Sequence, residues 1–199
     1  MRIQQVMEWT PVYRAWIAPF ADAKLSPLLK NNDLTRVRRV LDVGCGPGTD
    51  THLFAHCNYL GVDRNRSNIE SARRRFNRNF VIADVTAYEV PAGERFDFVL
   101  ANSLLHHIDD AGVHTLLSRL STLMADDGHV HIIDLVLPEE RGLPRLMARL
   151  DRGDYPRRLE RWNEIFTQHF EPLLLESFPV GLGGVAIWNM LYFKGKRKS

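Results

Sequence analysis

The stretch Val40–Thr49, VLDVGCGPGT, decides the expected fold, because it reads as a buried strand that runs straight into a glycine-rich turn. The apolar, β-branched run that ends at Val43 is typical of a strand covered on both faces. Gly44, Gly46 and Gly48 remove Cβ atoms where the backbone must turn sharply and approach a ligand closely. We expect a helix to follow, with its free N–H groups and the positive end of its dipole directed at that ligand.

A second strand ends about twenty residues further along the chain, the spacing expected of a nucleotide-binding unit. Its last residues are Gly61, Val62 and Asp63. A carboxylate at this position can accept hydrogen bonds from both hydroxyls of a ribose. A glycine pattern alone is weak evidence, but together with this carboxylate it predicts a nucleoside-containing cofactor bound to a Rossmann-type α/β unit.

Further motifs accompany the glycine loop in a fixed order. The loop opens on an acidic residue as Asp42-x-Gly44-x-Gly46-x-Gly48, and Asp63 ends the second strand. Ala83–Val85 ends the third strand, and Asp97–Ile108 forms the fourth strand with the turn that follows it. This set resembles the motifs of class I S-adenosylmethionine-dependent methyltransferases. A dehydrogenase would more often carry glycines spaced G-x-G-x-x-G, whereas the third glycine comes one residue earlier here.

The resemblance implies an α/β fold with a doubly wound, seven-stranded, mostly parallel sheet and helices on both faces. The sheet would end in an antiparallel hairpin, strands six and seven, which we place at residues 172–180 and 185–194. We expect residues 1–199 to form a single methyltransferase domain. Within it, residues 1–30 would be a helical preface that covers the sheet or lids the site, and residues 138–169 a helical insert over the substrate.

Patterns of apolar and polar residues place other elements. We expect helices over Thr49–Ala55 and Ser67–Phe76. Strand five is expected over His129–Val136, after a helix that ends in the turn Asp126–Gly128. The 138–169 insert is rich in arginine, and we favour pairing with acidic residues inside its own helices. The alternative is that some of these arginines meet an anionic substrate group.

The cofactor implied by the resemblance is S-adenosyl-L-methionine, and its product is S-adenosyl-L-homocysteine. Asp63 would bind the ribose, Asp84 the adenine amino group, and the backbone of Val85 a ring nitrogen. The full set of cofactor-binding residues that we predict is Asp42, Gly44, Cys45, Gly46, Gly48, Asp63, Arg64, Asp84, Val85 and Asn102.

His106 and His107 follow strand four directly, at the edge of the sheet where ligands of open α/β sheets bind. A histidine titrates near neutral pH and can take a proton from a hydroxyl or ammonium acceptor. In an extended backbone only one of the two would face the pocket, and the resemblance places His106 ahead. Either histidine could instead only fix the loop, and positioning alone could carry the reaction.

Substrate contacts and metal binding complete the predicted site. The residues expected to contact the substrate are Tyr13, Trp16, Leu105, Asp134 and Trp188. We expect no metal.

The substrate is expected to be a small metabolite, methylated on an O, N or C atom, with natural-product or secondary metabolism as one setting. The sequence after strand four, which includes His106 and His107, resembles enzymes of that kind and lacks the Asn-Pro-Pro-Tyr type motif of adenine or glutamine methylases. The alternatives are an RNA or protein methyltransferase, hinted at by the basic run Arg73–Arg75, and a non-catalytic subunit that binds S-adenosylmethionine.

Composition sets the expected partners and location. The 199 residues carry a net charge of +2 with both signs mixed, so we expect neither nucleic acid nor a membrane as a partner. We expect a monomer or a homodimer. The N-terminus lacks the apolar core of a signal peptide, and Cys45 and Cys57 are the only cysteines, which favours a reduced protein in the cytoplasm.

Overall fold

One seven-stranded sheet organises the structure, a computed structural model that describes residues 11–90, 93–151 and 153–198, with side chains of the first helix from Phe20 onward. The strands are β1 (Arg39–Val43), β2 (Asn58–Asp63), β3 (Asn79–Ile82), β4 (Phe96–Asn102), β5 (Met124–Val136), β6 (Phe170–Leu182) and β7 (Val185–Arg197). Their order across the sheet is β3-β2-β1-β4-β5-β7-β6. β7 is antiparallel to both β5 and β6, so the predicted doubly wound fold with its C-terminal hairpin is confirmed.

Helices cover both faces of this sheet. They are α1 (Pro11–Lys30), α2 (Arg66–Arg75), α3 (Asp110–Leu123), α4 (Leu143–Leu150) and α5 (Leu159–His169). One face carries α3 and α5, whose buried Leu116 and Trp162 belong to the same apolar cluster. The opposite face carries α1, α2 and α4, which contribute Leu28, Ile69 and Ala148 to a second cluster. Because the sheet is buried on both faces, its ligand-binding surface lies at the ends of its strands.

The segment after the glycine loop differs from the prediction. Thr51–Phe54 is a short 3₁₀ helix and replaces the α-helix expected over Thr49–Ala55. Only residues 49–57 separate the loop from β2, and a 3₁₀ helix rises about 2.0 Å per residue against about 1.5 Å in an α-helix, so it covers the return path in fewer residues. The expected α-helix dipole is therefore missing. The N–H groups of the loop donate within the protein, those of Gly44 and Cys45 to the carbonyl of Val62 and that of Gly48 to the carbonyl of Cys45.

Strand β5 begins earlier than predicted, at Met124, directly after α3. Its pairing with β4 jumps from Met124, opposite Phe96, to His129, opposite Phe98. Residues 125–128, Ala-Asp-Asp-Gly, lie between them and form a bulge. This bulge stands where the sequence predicted a longer helix followed by a turn. Gly128 is required there, since a Cβ atom would lie 2.6 Å from the carbonyl oxygen of Phe96.

Both helices expected in the 138–169 insert are present, as α4 and α5. The segment between them crosses the carboxyl edge of the sheet. There the N–H of Leu137 donates to the carbonyl of Arg157 at 2.8 Å, and the N–H of Tyr155 donates to the carbonyl of His106 at 3.0 Å. Among the helices in the described part of the chain, none combines the length and apolarity needed to cross a membrane.

Candidate active site

The glycine loop forms an open backbone cradle at the end of β1. Gly44, Gly46 and Gly48 have φ angles of 70°, 54° and 77°, a region in which residues with a Cβ are strained. A Cβ atom on Gly46 would meet nothing within 4 Å. The loop therefore borders free space at Gly46, where a ligand can approach the backbone.

Asp63 at the end of β2 connects the glycine loop to the loop that follows β2 through two hydrogen bonds. Its Oδ2 accepts a hydrogen bond from the N–H of Gly46 at 2.9 Å, and its Oδ1 accepts one from the N–H of Asn65 at 2.7 Å. Each carboxylate oxygen keeps a second lone pair, so Asp63 can still accept two ribose hydroxyls. The predicted neighbour Arg64 lies beside it, exposed.

Asp84 and Val85 follow β3 at the same edge of the sheet. Asp84 is exposed, and its Oδ1 accepts hydrogen bonds from the backbone N–H and the hydroxyl of Thr86 at 2.9 and 2.7 Å. These bonds lower the pKa of Asp84, so it is ionised at neutral pH. The structure brings Asp63, Asp84 and the glycine loop to one edge, as the motifs predicted.

Asp42 and Cys45 lie beneath this surface. Asp42 is 2% exposed, and the hydroxyl of Tyr59 donates to its Oδ2 at 2.5 Å. Burial and the nearby charge of Asp50 raise the pKa of Asp42 to about 8. Burial also raises the pKa of the Cys45 thiol strongly, which leaves that sulfur protonated and unreactive.

Asp50 is a site residue that sequence reasoning missed. It is buried, and its Oδ2 accepts a hydrogen bond from Nδ2 of Asn102 at 2.7 Å. Oδ1 of Asn102 is buried without a partner among the described residues, an arrangement that costs about 1–3 kcal/mol unless a ligand donates to it. The only signal for Asp50 in the sequence was its position two residues after the loop.

His106 is held between two carboxylates. It lies in a 3₁₀ turn, Leu105–His107, rather than in extended backbone, and it is 4% exposed. Nδ1 of His106 lies 2.6 Å from Oδ1 of Asp134 on β5, and Nε2 lies 3.2 Å from Oδ1 of Asp151, between α4 and α5. Oδ2 of Asp134 also accepts a hydrogen bond from the N–H of Leu105 at 2.8 Å.

This geometry fixes the protonation state of His106. An ionised carboxylate only accepts hydrogen bonds, so Nδ1 carries the proton that it shares with Asp134. The charge of Asp151, 3.2 Å from Nε2, favours a proton on that nitrogen as well. Burial by itself lowers the pKa of His106, but the charges of Asp134 and Asp151 and their hydrogen bonds outweigh burial and raise it to about 9. At neutral pH the ring is a cation without a free lone pair, and it can act neither as a base nor as a metal ligand.

His107 lies in the same turn as His106 but differs from it in exposure and in the direction of its pKa shift. It is exposed, and its ring centroid lies 4.1 Å from that of His106. Partial burial of the ring and the positive charge of His106 lower the pKa of His107. Ligand atoms of His106, His107 and Asp151 lie within 4.8 Å of one another, but His106 offers protons to its partners, so we assign no metal to this cluster.

Lys24 of α1 is a second residue that sequence reasoning missed. Its ammonium donates to the hydroxyl of Ser103 at 2.5 Å, directly after β4. Among the described residues Ser103 is the only non-glycine with a positive φ, at 54°. Burial lowers the pKa of Lys24, although the charges of Asp50, Asp134 and Asp151 oppose that effect. Lys24 thus joins α1 to the residue that follows β4, while the lid function expected of residues 1–30 stays a prediction.

The residues that were predicted to contact the substrate differ in how exposed they are. Tyr13 and Trp16 lie in α1, but their side chains are outside the described part. Trp188 is partly exposed and packs edge-to-face against Phe20 at 5.3 Å. Leu105 and Asp134 are fully buried, and Asp134 is engaged with His106. Burial argues against direct substrate contact for these two, and we reassign Asp134 to holding His106.

Residues of the 138–169 insert pack against the turn that contains His106 and form hydrogen bonds with it. Arg157 is buried, and its guanidinium donates to Oδ1 of Asp110 at 2.6 Å and to the carbonyls of Ile108 and Leu105 at 2.7 and 3.1 Å. Gly153 packs so closely that a Cβ atom would overlap the ring of His106. The insert and the His106 turn therefore pack directly against each other, and each limits the movement of the other.

The arginine pairing predicted within the insert helices is largely wrong. Arg157 and Arg161 both pair with Asp110 at the start of α3. Within the described part of the insert, Arg158 pairs with Glu139 outside its helix, and Arg161 pairs with Glu164 on its own helix. The reason is the first turn of α3, where a carboxylate is favourable and lies within reach of both guanidinium groups.

Comparison with known proteins places the chain in a family. A family model described as a methyltransferase domain matches residues 13–173. A trans-aconitate 2-methyltransferase of Delftia acidovorans is 30% identical, covering 94% of this chain and 74% of that protein. A ubiquinone biosynthesis O-methyltransferase of Rhodopseudomonas palustris is 29% identical, covering 73% and 57%. The chain spans from 53% to 74% of the length of these curated relatives and others like them.

A solved structure supports the fold. It is the N-methyltransferase NodS from Bradyrhizobium japonicum WM9 in complex with S-adenosyl-L-homocysteine. It superposes with a TM-score of 0.66 over 98% of this chain and 91% of that one, at 17% identity.

The residues around the glycine loop fit the cofactor of this family. The cradle at Gly46 is open to a ligand, the carboxylate of Asp63 has lone pairs for a ribose, and the unpartnered Oδ1 of Asn102 awaits a donor. S-adenosylmethionine carries hydroxyl and ammonium donors that suit these two acceptors. The family model over residues 13–173 and the relative at 30% identity show that the chain belongs to the class I S-adenosylmethionine-dependent methyltransferases.

Proposed function

We propose that the chain methylates an oxygen atom of a small metabolite and that His107 accepts the proton that the acceptor loses. The observation that carries this proposal is that both ring nitrogens of His106 lie next to carboxylates, Nδ1 at 2.6 Å from Asp134 and Nε2 at 3.2 Å from Asp151. His107 is then the histidine at this edge with a lone pair at neutral pH. The names of the two curated relatives, which refer to trans-aconitate and to ubiquinone biosynthesis, support a small-molecule acceptor.

Each residue of the cluster has a distinct part in this proposal. Bound S-adenosylmethionine supplies a methyl group that its sulfonium already makes electrophilic. Asp134 and the protonated His106 hold the 3₁₀ turn, and His107 on that turn takes the acceptor's proton. General base catalysis of this kind contributes about 10²–10⁴-fold.

Lys24 is proposed to hold a polar or anionic group of the acceptor. Its ammonium has three donors, and Ser103 accepts one of them. The nearby carboxylates have partners of their own: Asp50 binds Asn102, and Asp134 and Asp151 bind His106. A carboxylate on the acceptor would use the remaining donors, and trans-aconitate carries three.

The covering segments complete the proposal. The 138–169 insert already packs on the His106 turn through Gly153 and Tyr155, which supports its expected place over the substrate. The first thirty residues are proposed to close the same side of the site, with Lys24 as their contribution to it, and residues 1–199 to work as one domain.

The test uses S-adenosylmethionine labelled in its methyl group, with trans-aconitate and 3,4-dihydroxybenzoate as acceptors. We expect methyl transfer to at least one of them. For a hydroxyl acceptor, His107→Gln should lower kcat by about 10²–10⁴-fold and leave cofactor affinity unchanged. His52→Gln, at an exposed histidine of the 3₁₀ helix after the glycine loop, is the matched control. A carboxylate acceptor has no proton to lose, so its kcat should not change in His107→Gln.

Two results would contradict the proposal. Unchanged kcat of His107→Gln with a hydroxyl acceptor at every pH would remove the base. Transfer to RNA or protein, and to no small molecule, would favour the alternative classes.

A further inference from the structure

Ser103 lies directly after β4, where the chain passes from the cofactor side of the site to the acceptor side. Asn102, the residue before it, donates a hydrogen bond to Asp50. His106, three residues later, lies between two carboxylates. The side chain of Ser103 has no part in the proton transfer proposed above, although it stands between these two groups.

The backbone of Ser103 adopts a conformation that is unfavourable for a residue with a side chain. Its φ angle is 54°, in the left-handed region, where a Cβ atom comes too close to the following carbonyl oxygen. Every other residue with a positive φ in the described part of the chain is a glycine. A glycine would avoid the strain at this position, so we looked for a contact that the serine hydroxyl makes and a glycine could not.

That hydroxyl joins the end of β4 to α1. The ammonium of Lys24 donates to Oγ of Ser103 at 2.5 Å, between residues that are 79 positions apart in the sequence. The N–H of Ser103 donates to the carbonyl of Ile133 in β5 at 2.8 Å. Contacts with two other elements, α1 and β5, therefore hold Ser103 in its strained conformation.

The two residues after Ser103 contact opposite sides of the site. A Cβ atom on Gly44 would lie 2.8 Å from a methyl carbon of Leu104, so Leu104 packs directly on the glycine loop. The N–H of Leu105 donates to Oδ2 of Asp134 at 2.8 Å, on the side that holds His106. A change in the backbone angles of Ser103 would move both contacts together.

We infer that Ser103 is a positioning residue, which through its hydrogen bond with Lys24 fixes the turn that carries His106 and His107 relative to the glycine loop. The distance between that turn and the loop sets the alignment of the acceptor with the methyl group. A misplacement of about 1 Å can lower a rate by about 10²-fold. The inference deepens the proposed function and rests on it only for the effect on kcat.

Three replacements of Ser103 separate the role of its hydroxyl from the backbone strain. Ser103→Gly relieves the strain and removes the acceptor of Lys24, whereas Ser103→Ala removes the acceptor and keeps the strain. Ser103→Asn supplies a carbonyl oxygen that can accept from Lys24, and asparagine tolerates a positive φ. The readout is amide hydrogen exchange at Leu105, His107 and Ile108, whose N–H groups are hydrogen-bonded in or beside the turn.

We expect these three amides to exchange about 10- to 100-fold faster in Ser103→Gly and Ser103→Ala, the range that corresponds to one hydrogen bond to a charged group. In Ser103→Asn they should exchange at the wild-type rate. Urea unfolding should show Ser103→Gly to be more stable than Ser103→Ala, although the turn is equally loose in both. Ser177→Ala, which removes an exposed hydroxyl on β6, is the matched control and should behave as wild type.

Lys24→Met tests the other partner of the hydrogen bond. It should accelerate exchange of the same three amides, and combining it with Ser103→Ala should add nothing further, because both changes remove one interaction. With a methylated acceptor, kcat of Ser103→Gly should fall by up to about 10²-fold. The affinity for S-adenosylmethionine in calorimetry should stay unchanged, and Ser103→Asn should restore kcat.

The inference would be overturned if exchange in the turn is the same in Ser103→Gly as in the wild type. It would also be overturned if Ser103→Asn accelerates exchange as much as Ser103→Ala, or if the acceleration extends equally to the amides of β4 and β5, which would indicate a loss of global stability alone. The exchange measurements involve no methyl acceptor, so they decide the inference even if the proposed substrate class is wrong.

Discussion

The cofactor side and the acceptor side of this site are built in different ways. On the cofactor side, the main contact joins Gly46 to Asp63, seventeen residues apart, through a backbone N–H. On the acceptor side, His106 meets Asp134 and Asp151 through side chains that are far apart in sequence and brought together by tertiary packing. The cofactor side can therefore be predicted from the spacing of residues that are close in the sequence. The acceptor side cannot, because its residues meet only in the folded protein.

The two sides should also fail differently when they are changed. A loop that borders open space, as at Gly46, can lose affinity for a ligand while the fold remains intact. A buried ion pair cannot lose one member without leaving the other uncompensated, which costs stability. The predictions below test this contrast.

Asp134→Asn should have the largest effect. Breaking a buried pair costs about 3–5 kcal/mol, and we expect that loss in the free energy of unfolding at pH 6. The pKa of His106 is about 9 in the folded protein and about 6.5 in the unfolded chain, so its stabilisation is complete below pH 6.5 and is lost as pH rises through 9. The pKa of Asp134 is lowered, so its stabilisation is lost as pH falls below about 4.

Urea unfolding from pH 4 to pH 10 measures this difference. Asp127→Asn, in an exposed pair with Arg38, is the control and should lose much less. A gap between wild type and Asp134→Asn that stays constant up to pH 10 would show that His106 is not the charged partner.

Asp63→Asn should show the opposite pattern, with affinity lost and the fold retained. Charge-assisted hydrogen bonds are worth about 1.5–3 kcal/mol, so the affinity for S-adenosylmethionine should fall about 10- to 100-fold in calorimetry. Asp84→Asn is the comparison, and its effect should be smaller because Asp84 is exposed. An unchanged affinity in Asp63→Asn would remove Asp63 from the site.

Gly153→Ala probes the contact between the insert and the His106 turn. The added Cβ would overlap the His106 ring, and overpacking of this kind costs about 1–3 kcal/mol. We expect lower stability and a lower kcat with unchanged affinity for S-adenosylmethionine. Gly142→Ala in the same insert is the matched control, because its Cβ would meet only Pro144 at 3.8 Å. Equal behaviour of the two variants would mean that the insert does not press on His106.

The spacing of the glycines and of Asp63 predicted that the loop and this carboxylate lie at one edge of the sheet, because that spacing follows from the strand-loop geometry. The roles of Asp84 and Val85 came from the family resemblance and stay predictions. The strand order and the C-terminal hairpin came from the same family resemblance. The sequence analysis did not identify Asp50 or Lys24, because neither residue lies in a motif that indicates a functional site. The family resemblance placed His106 ahead of His107, and the sequence does not show that Asp134 and Asp151 will lie beside the ring of His106. The predicted helix over Thr49–Ala55 failed because the return path to β2 is short.

The protonation of the two histidines is the central claim, and NMR of protein labelled with ¹⁵N-histidine tests it most directly. The ring signals are assigned with His106→Gln and His107→Gln and followed from pH 5 to pH 10. We predict that His106 carries protons on both ring nitrogens at pH 7 and titrates near pH 9, whereas His107 titrates below its ordinary value of about 6.5. A neutral His106 at pH 7, with one unprotonated nitrogen, would contradict the account and return His106 to the role of base.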